Sequence, residues 1–266
     1  MTKDYPQAVT IAGSDSDGSA GIQADLETFF ARRVYGASII TACVSGNSYG
    51  IHDSVNMPTS FIDQEFKDLG DDFHILAAKT GMLSDANIIN TVVKDYQLYD
   101  FGPLVVDPVI TTKFGTMLLE EDAFDAMKNE LVPMATVLTP NFFEAQKLTG
   151  LDVDDPDFMA KSAKAMQDMG ASNVIVKGRH DDPSQTKVSD YVLLEDGQHF
   201  NLNGPYFTTD RKNGTGDTLS AGITAELAKG HTVADSIKIA KQYVDGAIED
   251  EIQVGHKYGP INHWAR

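Results

Sequence analysis

Short apolar runs alternate with longer amphipathic stretches along most of the chain. The apolar runs have the length and composition of strands buried in a parallel sheet. The longer stretches repeat apolar residues at helical spacing, which predicts helices between the strands. The predicted strands are residues 8–12, 38–44, 75–79, 104–106, 136–138 and 173–177, and the predicted helices are residues 22–33, 58–69, 85–96, 142–149, 157–169, 218–229 and 233–252.

Two further strand-like runs, 191–194 and 199–202, flank Asp196-Gly197, a pair typical of a tight hairpin turn. The whole pattern predicts an α/β fold: a mostly parallel central sheet, helices on both faces, and an antiparallel hairpin near one edge. Because no repeat, low-complexity tract or linker interrupts the pattern, we predict one domain over residues 1–266. In such sheets ligands bind beyond the carboxyl ends of the strands, so the loops after strands are the expected place for chemistry.

Charge and composition exclude several classes of partner. The 266 residues carry a formal net charge of −18, which argues against binding to nucleic acid or to an anionic membrane. A polyanionic ligand would need a local positive site or a divalent cation. The single cysteine, Cys43, excludes an internal disulfide and suits a reducing cytoplasm. No apolar run approaches the ~20 residues of a membrane span, so we expect a cytoplasmic protein.

The most informative stretch lies before the helix predicted at 218–229. Gly214 and Gly216 flank Thr215, and Asp217 follows at once. Glycines let the backbone turn tightly and present N–H groups to an anion at a helix start. Asp217 would then take a proton from a hydroxyl beside a phosphate. The other reading is an ordinary helix end, where an acid complements the dipole. On this stretch alone both readings stay open.

Other loops that follow strands carry matching polar residues, each with a structural alternative. Asp15 lies in a Gly/Ser/Asp loop and would bind a hydroxyl or a ring nitrogen, or cap the next helix. Asp107 would contact magnesium through water, or act as a turn acid before proline. Asn141 and Glu144 have the spacing of a capping box, or would face the same cleft as Asp107. Lys177 would meet phosphate, or lie on an exposed turn.

All of these loops are expected at one edge of the sheet. Acids for a cation, a lysine for phosphates and a glycine-rich helix start together indicate nucleotide-dependent phosphoryl transfer. The sequence has no Walker A pattern, no protein-kinase signature and no Gly-x-Gly-x-x-Gly after the first strand. His180, His256 and His263 lack metal-ligand spacing, and we expect ordinary surface histidines there.

Seven motifs then carry a family resemblance over residues 10 to 263. They are Thr10-Ile11-Ala12-Gly13-Ser14-Asp15 with Gly21-Ile22-Gln23-Ala24-Asp25-Leu26; Lys79-Thr80-Gly81-Met82-Leu83; Val105-Val106-Asp107-Pro108-Val109; Leu138-Thr139-Pro140-Asn141 with Glu144-Ala145; Val176-Lys177-Gly178; Gly214-Thr215-Gly216-Asp217-Thr218; and Gly259-Pro260 with His263. On these motifs the chain resembles the ribokinase-like superfamily, and within it the branch of hydroxymethylpyrimidine/phosphomethylpyrimidine kinases and bacterial pyridoxine/pyridoxal kinases.

The resemblance implies transfer of the γ-phosphoryl group of ATP, with Mg²⁺, to a hydroxymethyl group on an aromatic nitrogen ring. It also implies a homodimer. The residues it implies are, for the ring pocket, Asp15, Gly46, Asn47 and Met82; for ATP, Asn141, Lys177, Gly178, Thr209 and Thr215; for magnesium and phosphates, Asp107 and Glu144; and for catalysis, Gly214 and Gly216 as an anion hole with Asp217 as general base.

Two departures from the branch refine this expectation. The branch commonly has cysteine where this chain has Asp217, whereas the wider superfamily has its aspartate base there. Pyrimidine kinases typically have Ala-Gln-Asn-Thr where this chain has Ser45-Gly46-Asn47-Ser48, and the glutamine resembles a reader of the aminopyrimidine edge. Glycine cannot pair with that amino group, whereas a pyridine ring lacks it. Pyridoxal kinase is therefore the leading expectation.

Two alternatives stay open. One is a hydroxymethylpyrimidine (phosphate) kinase of thiamine synthesis, because the two activities overlap in this branch. The other is a non-catalytic ligand-binding protein that keeps the fold. The intact set of acids and glycines argues against this second alternative, since a pure sensor needs no base.

Overall fold

A computed structural model describes residues 4–110, 119, 121–180, 182 and 184–265. The strands of its sheet are β1 (Gln7–Asp15), β2 (Tyr35–Asn47), β3 (Gly50–Asn56), β4 (Ile75–Thr80), β5 (Leu104–Val106), β6 (Val137–Leu138), β7 (Asn173–Val176), β8 (Lys187–Leu193) and β9 (His199–Pro205). The helices are α1 (Gly21–Ala31), α2 (Thr59–Asp72), α3 (Ala86–Leu98), α4 (Glu121–Ala126), α5 (Phe142–Thr149), α6 (Phe158–Asp168), α7 (Thr215–Ala228) and α8 (Val233–Glu249). A π turn, Met127–Leu131, and a 3-10 turn, Val132–Met134, continue α4.

The sheet order is β3-β2-β1-β4-β5-β6-β7-β8-β9. The six strands from β2 to β7 in this order run parallel, while β3 at one edge and β8 and β9 at the other pair antiparallel. From β1 the chain first adds β2 on one side and later returns to β4 on the other side. Strands β2 and β4 therefore lie on opposite sides of β1. Such a switch in strand order leaves a crevice at the carboxyl ends of β1 and β4.

Helices cover both faces of the sheet. Because successive strand residues point to opposite faces, Val106 packs into the larger core, which α2, α3, α5 and α6 cover, while Val105 packs into the core beneath α7 and α8. Helix α1 packs beside α7 on that second face. Among the described residues, none of the helices combines the length and apolarity needed to cross a lipid bilayer.

The predicted fold class is confirmed: strands and helices alternate, the central strands are parallel, and β8 and β9 form the hairpin around Asp196-Gly197. Strand β3 is missing from the prediction. Every residue of β3 is exposed, including Ile51 and Val55 at 58% and 65%. Because none of them is buried, the sequence of β3 carries no run of apolar residues that would indicate a strand. Helix α4 is also missing from the prediction.

The start of α7 differs from its predicted position in a way that matters for function. The helix begins at Thr215 rather than at 218. Gly214 is therefore the N-cap residue, and Asp217 lies within the first turn. Both readings of this stretch thus share one geometry, because an acid in the first turn also stands beside the free N–H groups of the helix start.

Candidate active site

An ion pair joins two of the loops that follow strands. Asp107 comes directly after β5 and Lys177 directly after β7. The Lys177 Nζ lies 3.3 Å from Asp107 Oδ1, and Thr139 Oγ1 donates to the same oxygen at 3.3 Å. Asp107 is only 4% exposed. The pair therefore presents a lysine and a carboxylate in fixed positions at the carboxyl edge of the sheet.

The first turn of α7 faces this pair. A Cβ built on Gly216 would lie 3.5 Å from both Asp107 Oδ2 and Lys177 Nζ. Because glycine has no side chain, the space between the helix start and the ion pair stays open. The backbone N–H groups of this first turn have no partners within the helix. An anion held there would meet both these groups and Lys177.

The start of α7 also touches the loop after β1. Gly214 has φ of +79°, a conformation that favours glycine. A Cβ at Gly214 would lie 2.3 Å from the carbonyl oxygen of Ser19. Asn213 Nδ2 donates to Ser19 Oγ at 3.2 Å. The glycine therefore allows the start of α7, which carries Asp217, to meet the loop that follows Asp15 at the end of β1.

Asp217 is half-buried and acts electrostatically on both sides of the site. Burial raises the pKa of Asp15 to about 6, and the charges of Asp17 and then Asp217 add to this rise. Burial disfavours charge on Lys177, but the surrounding carboxylates, Asp217 among them, outweigh it and raise the pKa of the ammonium. The charge of Asp217 therefore acts both on Asp15, at the end of β1, and on the lysine of the ion pair.

Asn141 and Glu144 form a capping box at the start of α5. Asn141 Oδ1 accepts from the N–H groups of Phe143 and Glu144 at 3.0 and 2.9 Å, and Glu144 Oε2 accepts from the N–H of Asn141 at 2.8 Å. Glu144 Oε1 accepts from the N–H of Ile110 at 3.3 Å. Burial raises the pKa of Glu144 to about 7. The structural reading of these two residues is thus confirmed, while their predicted ligand roles stay predictions.

The donor set fits a magnesium ion held mainly by a nucleotide. Among the described residues, no group of three Asp, Glu, His or Cys side chains is placed to hold a metal. Magnesium, however, usually keeps several waters and binds one or two carboxylates together with substrate phosphates. Asp107 uses Oδ1 for its hydrogen bonds and turns Oδ2 towards Gly216. Glu144 has both oxygens on backbone N–H groups, so it would act through water.

Two of the predicted ring-pocket residues, Asp15 and Met82, lie at the crevice between β1 and β4. Met82 follows β4, and its Cε would be 2.7 Å from a Cβ built on Gly13. Thr41 Oγ1 donates to the carbonyl of Met82 at 2.8 Å. Asp15, the last residue of β1, stands at the same edge. One acid and one flexible apolar side chain therefore border the crevice.

Gly46 and Asn47 end β2, at the turn into β3. Ser16 Oγ, beside Asp15, accepts from the N–H of Gly46 at 2.9 Å and lies 3.1 Å from its carbonyl oxygen. A Cβ at Gly46 would lie only 2.8 Å from the carbonyl oxygen of Gly50. Asn47 is exposed, and its Oδ1 accepts from the N–H of Tyr49 at 2.9 Å. The hairpin backbone therefore closes on Gly46, and Asn47 stabilises the turn.

Three predicted ATP-binding residues take part in the fold. The buried Gly178 donates its N–H to Asp190 Oδ1 at 2.8 Å. Thr215 Oγ1 donates to the carbonyl three residues earlier, at 2.8 Å. Thr209 Oγ1 donates to Glu251 Oε2, in the segment after α8, at 2.5 Å. The roles of these three residues with ATP stay predictions.

The sequence analysis missed a buried ion pair between Lys79 and Asp25. Lys79, on β4, is fully buried, and its Nζ lies 2.5 Å from Asp25 Oδ1. Thr10 Oγ1 donates to Asp25 Oδ2 at 2.6 Å. Burial disfavours charge on Lys79, but Asp25 and Asp217 outweigh it and raise the pKa of the lysine. The available signal was a lysine inside an otherwise apolar strand, which requires a buried counter-charge.

The prediction for His263 is wrong. It is 6% exposed rather than on the surface, and its Nε2 lies 2.9 Å from the hydroxyl oxygen of Thr218, the residue after Asp217. His180 and His256 are exposed, as predicted.

Known proteins resemble this chain over nearly its whole length. The profile of the phosphomethylpyrimidine kinase family matches residues 15–262. A hydroxymethylpyrimidine/phosphomethylpyrimidine kinase of Haemophilus influenzae is 45% identical over 260 residues, which cover 97% of both chains.

Solved structures give the same picture of the fold. Bacillus subtilis pyridoxal kinase, as an ADP complex, matches with a TM-score of 0.89 and 34% identity, covering 98% of both chains. Staphylococcus aureus pyridoxal kinase, in complex with AMP-PCP and pyridoxal, matches with a TM-score of 0.88 and 32% identity, covering 99% of this chain and 95% of that one.

Proposed function

The chain belongs to the phosphomethylpyrimidine kinase family, and we propose that it transfers the γ-phosphoryl group of ATP to the hydroxymethyl group of pyridoxal, pyridoxine or pyridoxamine. The observation that carries this proposal is the place of Asp217 in the first turn of α7, directly after Gly216, which faces the Asp107–Lys177 pair. The charge of Asp217 acts on Asp15, beside the crevice proposed for the ring, and on Lys177, beside the space proposed for phosphate. A base for a hydroxyl that attacks a phosphoryl group has to stand between these two places.

Each side chain of the site has a role in this reaction. Asp217 accepts the proton of the hydroxymethyl group as its oxygen bonds to the γ-phosphorus and the bond to ADP breaks. Lys177 and the N–H groups of the first turn of α7 stabilise the negative charge on the transferring group. Asp107, with Glu144 through water, would hold Mg²⁺. When bound, the ion neutralises charge on the phosphates.

The choice of a pyridine ring rests on Gly46. Its backbone is held by Ser16, and the carbonyl of Gly50 occupies the place that a side chain would need. The hairpin therefore offers no side chain at this position to pair with the amino group of a pyrimidine. A pyrimidine bound here would leave its amino group without a partner at this position. A pyridine ring has no such amino group and therefore loses nothing.

Hydroxymethylpyrimidine is the second candidate substrate, and the name of the Haemophilus relative favours it. We expect kcat/KM with ATP and Mg²⁺ to be highest for a B6 vitamer when pyridoxal, pyridoxine, pyridoxamine and hydroxymethylpyrimidine are compared. Much faster turnover of hydroxymethylpyrimidine, or addition of a second phosphate to it, would assign the chain to thiamine synthesis. Absence of turnover with all four would favour a non-catalytic binding protein. The homodimer and the cytoplasmic location stay predictions.

A pH dependence follows from Asp15. Because its pKa is raised to about 6, it takes up a proton as the pH falls through that value and loses its charge. We expect kcat/KM for the vitamin to fall over the same range, since this ratio reports groups of the free enzyme. Asp15→Asn, which has no titrating group, should lose this step. The measurement is kcat/KM from about pH 5 to pH 8 for both proteins, and a wild-type profile without a step near pH 6 would contradict the role of Asp15.

A further inference from the structure

The segment after α8 runs back across the start of α7. The N–H of Asn213 donates to the carbonyl of Gly259 at 3.0 Å, and the N–H of Ile261 donates to the carbonyl of Asn213 at 3.3 Å. These bonds form a short parallel bridge between Asn213 and Pro260. Asn213 directly precedes Gly214, so residues near the end of the chain pair with the residue before the proposed anion hole.

The side chain of His263 adds contacts to α1 and α7. Its Nδ1 lies 2.9 Å from Glu27 Oε2, and its Nε2 lies 2.9 Å from Thr218 Oγ1. A carboxylate only accepts hydrogen bonds, so Nδ1 carries the proton and donates. In the neutral ring Nε2 then accepts from the hydroxyl of Thr218. The imidazole therefore connects α1, through Glu27, to the first turn of α7.

The order carboxylate, imidazole, hydroxyl is that of a nucleophilic triad. Thr218, however, is fully buried, so no substrate can reach its oxygen. The chain of hydrogen bonds therefore has no direct chemical role. Its effect falls on the backbone of Thr218, which is joined to Asp217 by a peptide bond.

We propose that His263 is a positioning residue for phosphoryl transfer. By holding Thr218, it sets the orientation of the first turn of α7, and with it the place of Asp217 and of the N–H groups beside Lys177. A misplacement of about 1 Å far from the reacting atoms can lower a rate by ~100-fold. The inference rests on the proposed kinase function for its kinetic consequence, although the anchoring itself does not depend on turnover.

The backbone of the segment is fixed from other sides as well. The hydroxyl of Tyr243, in α8, donates to the carbonyl of His263 at 2.9 Å. The N–H groups of His256 and Tyr258 donate to Ser48 Oγ and to its carbonyl at 3.1 and 3.0 Å. Because these contacts use other atoms, removal of the imidazole alone leaves the path of the chain in place. The side chain of His256 is exposed, which makes His256→Ala a matched control.

The test compares His263→Ala, Thr218→Val and the double variant with wild type and His256→Ala. We expect kcat to fall by about tenfold or more in each single variant, by the same order in the double variant, and not at all in His256→Ala. KM for the vitamin should change less than kcat, because Asp15 and Met82 are not displaced. His263→Gln, whose amide can both donate to Glu27 and accept from Thr218, should recover part of the loss. Amide hydrogen exchange in the first turn of α7 should accelerate in both single variants.

Wild-type kcat and wild-type exchange rates in the single variants would overturn the inference, and so would losses that add in the double variant. If His263→Ala does not fold, Thr218→Val decides, because valine keeps the shape of threonine and replaces only its hydroxyl, by a methyl group. A wild-type protein without kinase turnover would refute the proposed function instead. Hydrogen exchange would then still report whether His263 anchors the helix.

Discussion

Asp217→Asn should lower kcat by ~100-fold or more, the order of magnitude that general-base catalysis contributes. Asparagine has nearly the shape of aspartate but cannot accept the proton of the hydroxymethyl group. Because neither Lys177 nor the backbone of α7 changes, ADP should bind with unchanged affinity. The measurement is steady-state kcat with the preferred vitamer, together with the dissociation constant of ADP.

Helix α8 supplies the matched control. Asp235 occupies the third position of α8, as Asp217 does in α7, and its carboxylate accepts from the hydroxyl of Thr232 at the helix start. If Asp217 only complements the helix dipole, Asp217→Asn and Asp235→Asn should both cost about 0.3–1 kcal/mol of stability and leave kcat unchanged. A kcat within a fewfold of wild type for Asp217→Asn would end the proposal for a base while leaving the family assignment intact.

Much of the fold could be predicted because burial imposes a pattern. Strands such as β5 are apolar throughout, since helices cover both of their faces. Strand β3 lies in solvent along its whole length, so selection for burial leaves no trace in its sequence. Its pairing comes from β2, which continues past the covered part of the sheet into an exposed hairpin. Such a strand is defined by its partner rather than by its own residues.

The candidate site was predictable as far as it depends on sheet topology. Asp107 follows β5 and Lys177 follows β7, two parallel strands on either side of β6. The structure brings Lys177 Nζ to 3.3 Å from Asp107 Oδ1. Asn141 and Glu144 have a capping box and still border this edge, because Asn141 forms a backbone bridge with Lys177. For these two residues the structural reading does not exclude the functional one.

The parts that could not be predicted depend on distant segments. Lys79 and Asp25 are 54 residues apart, and His263 reaches Thr218 over 45 residues. No periodicity within one element indicates that a buried lysine faces a particular aspartate, or that a histidine near the end of the chain lies inside it. These contacts join different elements: Lys79 on β4 meets Asp25 on α1, and His263, after α8, meets Thr218 on α7.

The two glycines of the anion hole should both lose activity on change to alanine, but their effects on stability should differ. Gly214 combines φ of +79° with a place for Cβ only 2.3 Å from the Ser19 carbonyl. Alanine there must both adopt a left-handed conformation, at about 1–2 kcal/mol, and push the loop after β1 away. Gly214→Ala should therefore lower Tm by several degrees and lose most activity.

Gly216→Ala should lose activity without losing stability. At this helical position alanine is favoured over glycine by up to about 1 kcal/mol, and its Cβ would stand at ordinary contact distance, 3.5 Å, from Asp107 and Lys177. The methyl group would, however, fill the space proposed for the transferring phosphoryl group. We expect Tm equal to or above that of wild type, with kcat/KM for ATP lowered by at least tenfold, about 1.4 kcal/mol of transition-state stabilisation.

Gly230→Ala separates conformational strain from the clash at Gly214. Gly230 has φ of +84° with nothing within 4 Å of the place for Cβ, so it reports the cost of a left-handed alanine alone. Thermal unfolding and kcat/KM for ATP, measured on all three variants, decide the matter. Gly214→Ala should be less stable than Gly230→Ala, since it adds the contact with Ser19. If Gly216→Ala kept full activity, the phosphoryl group could not pass between α7 and the Asp107–Lys177 pair, because that methyl group would stand in its path.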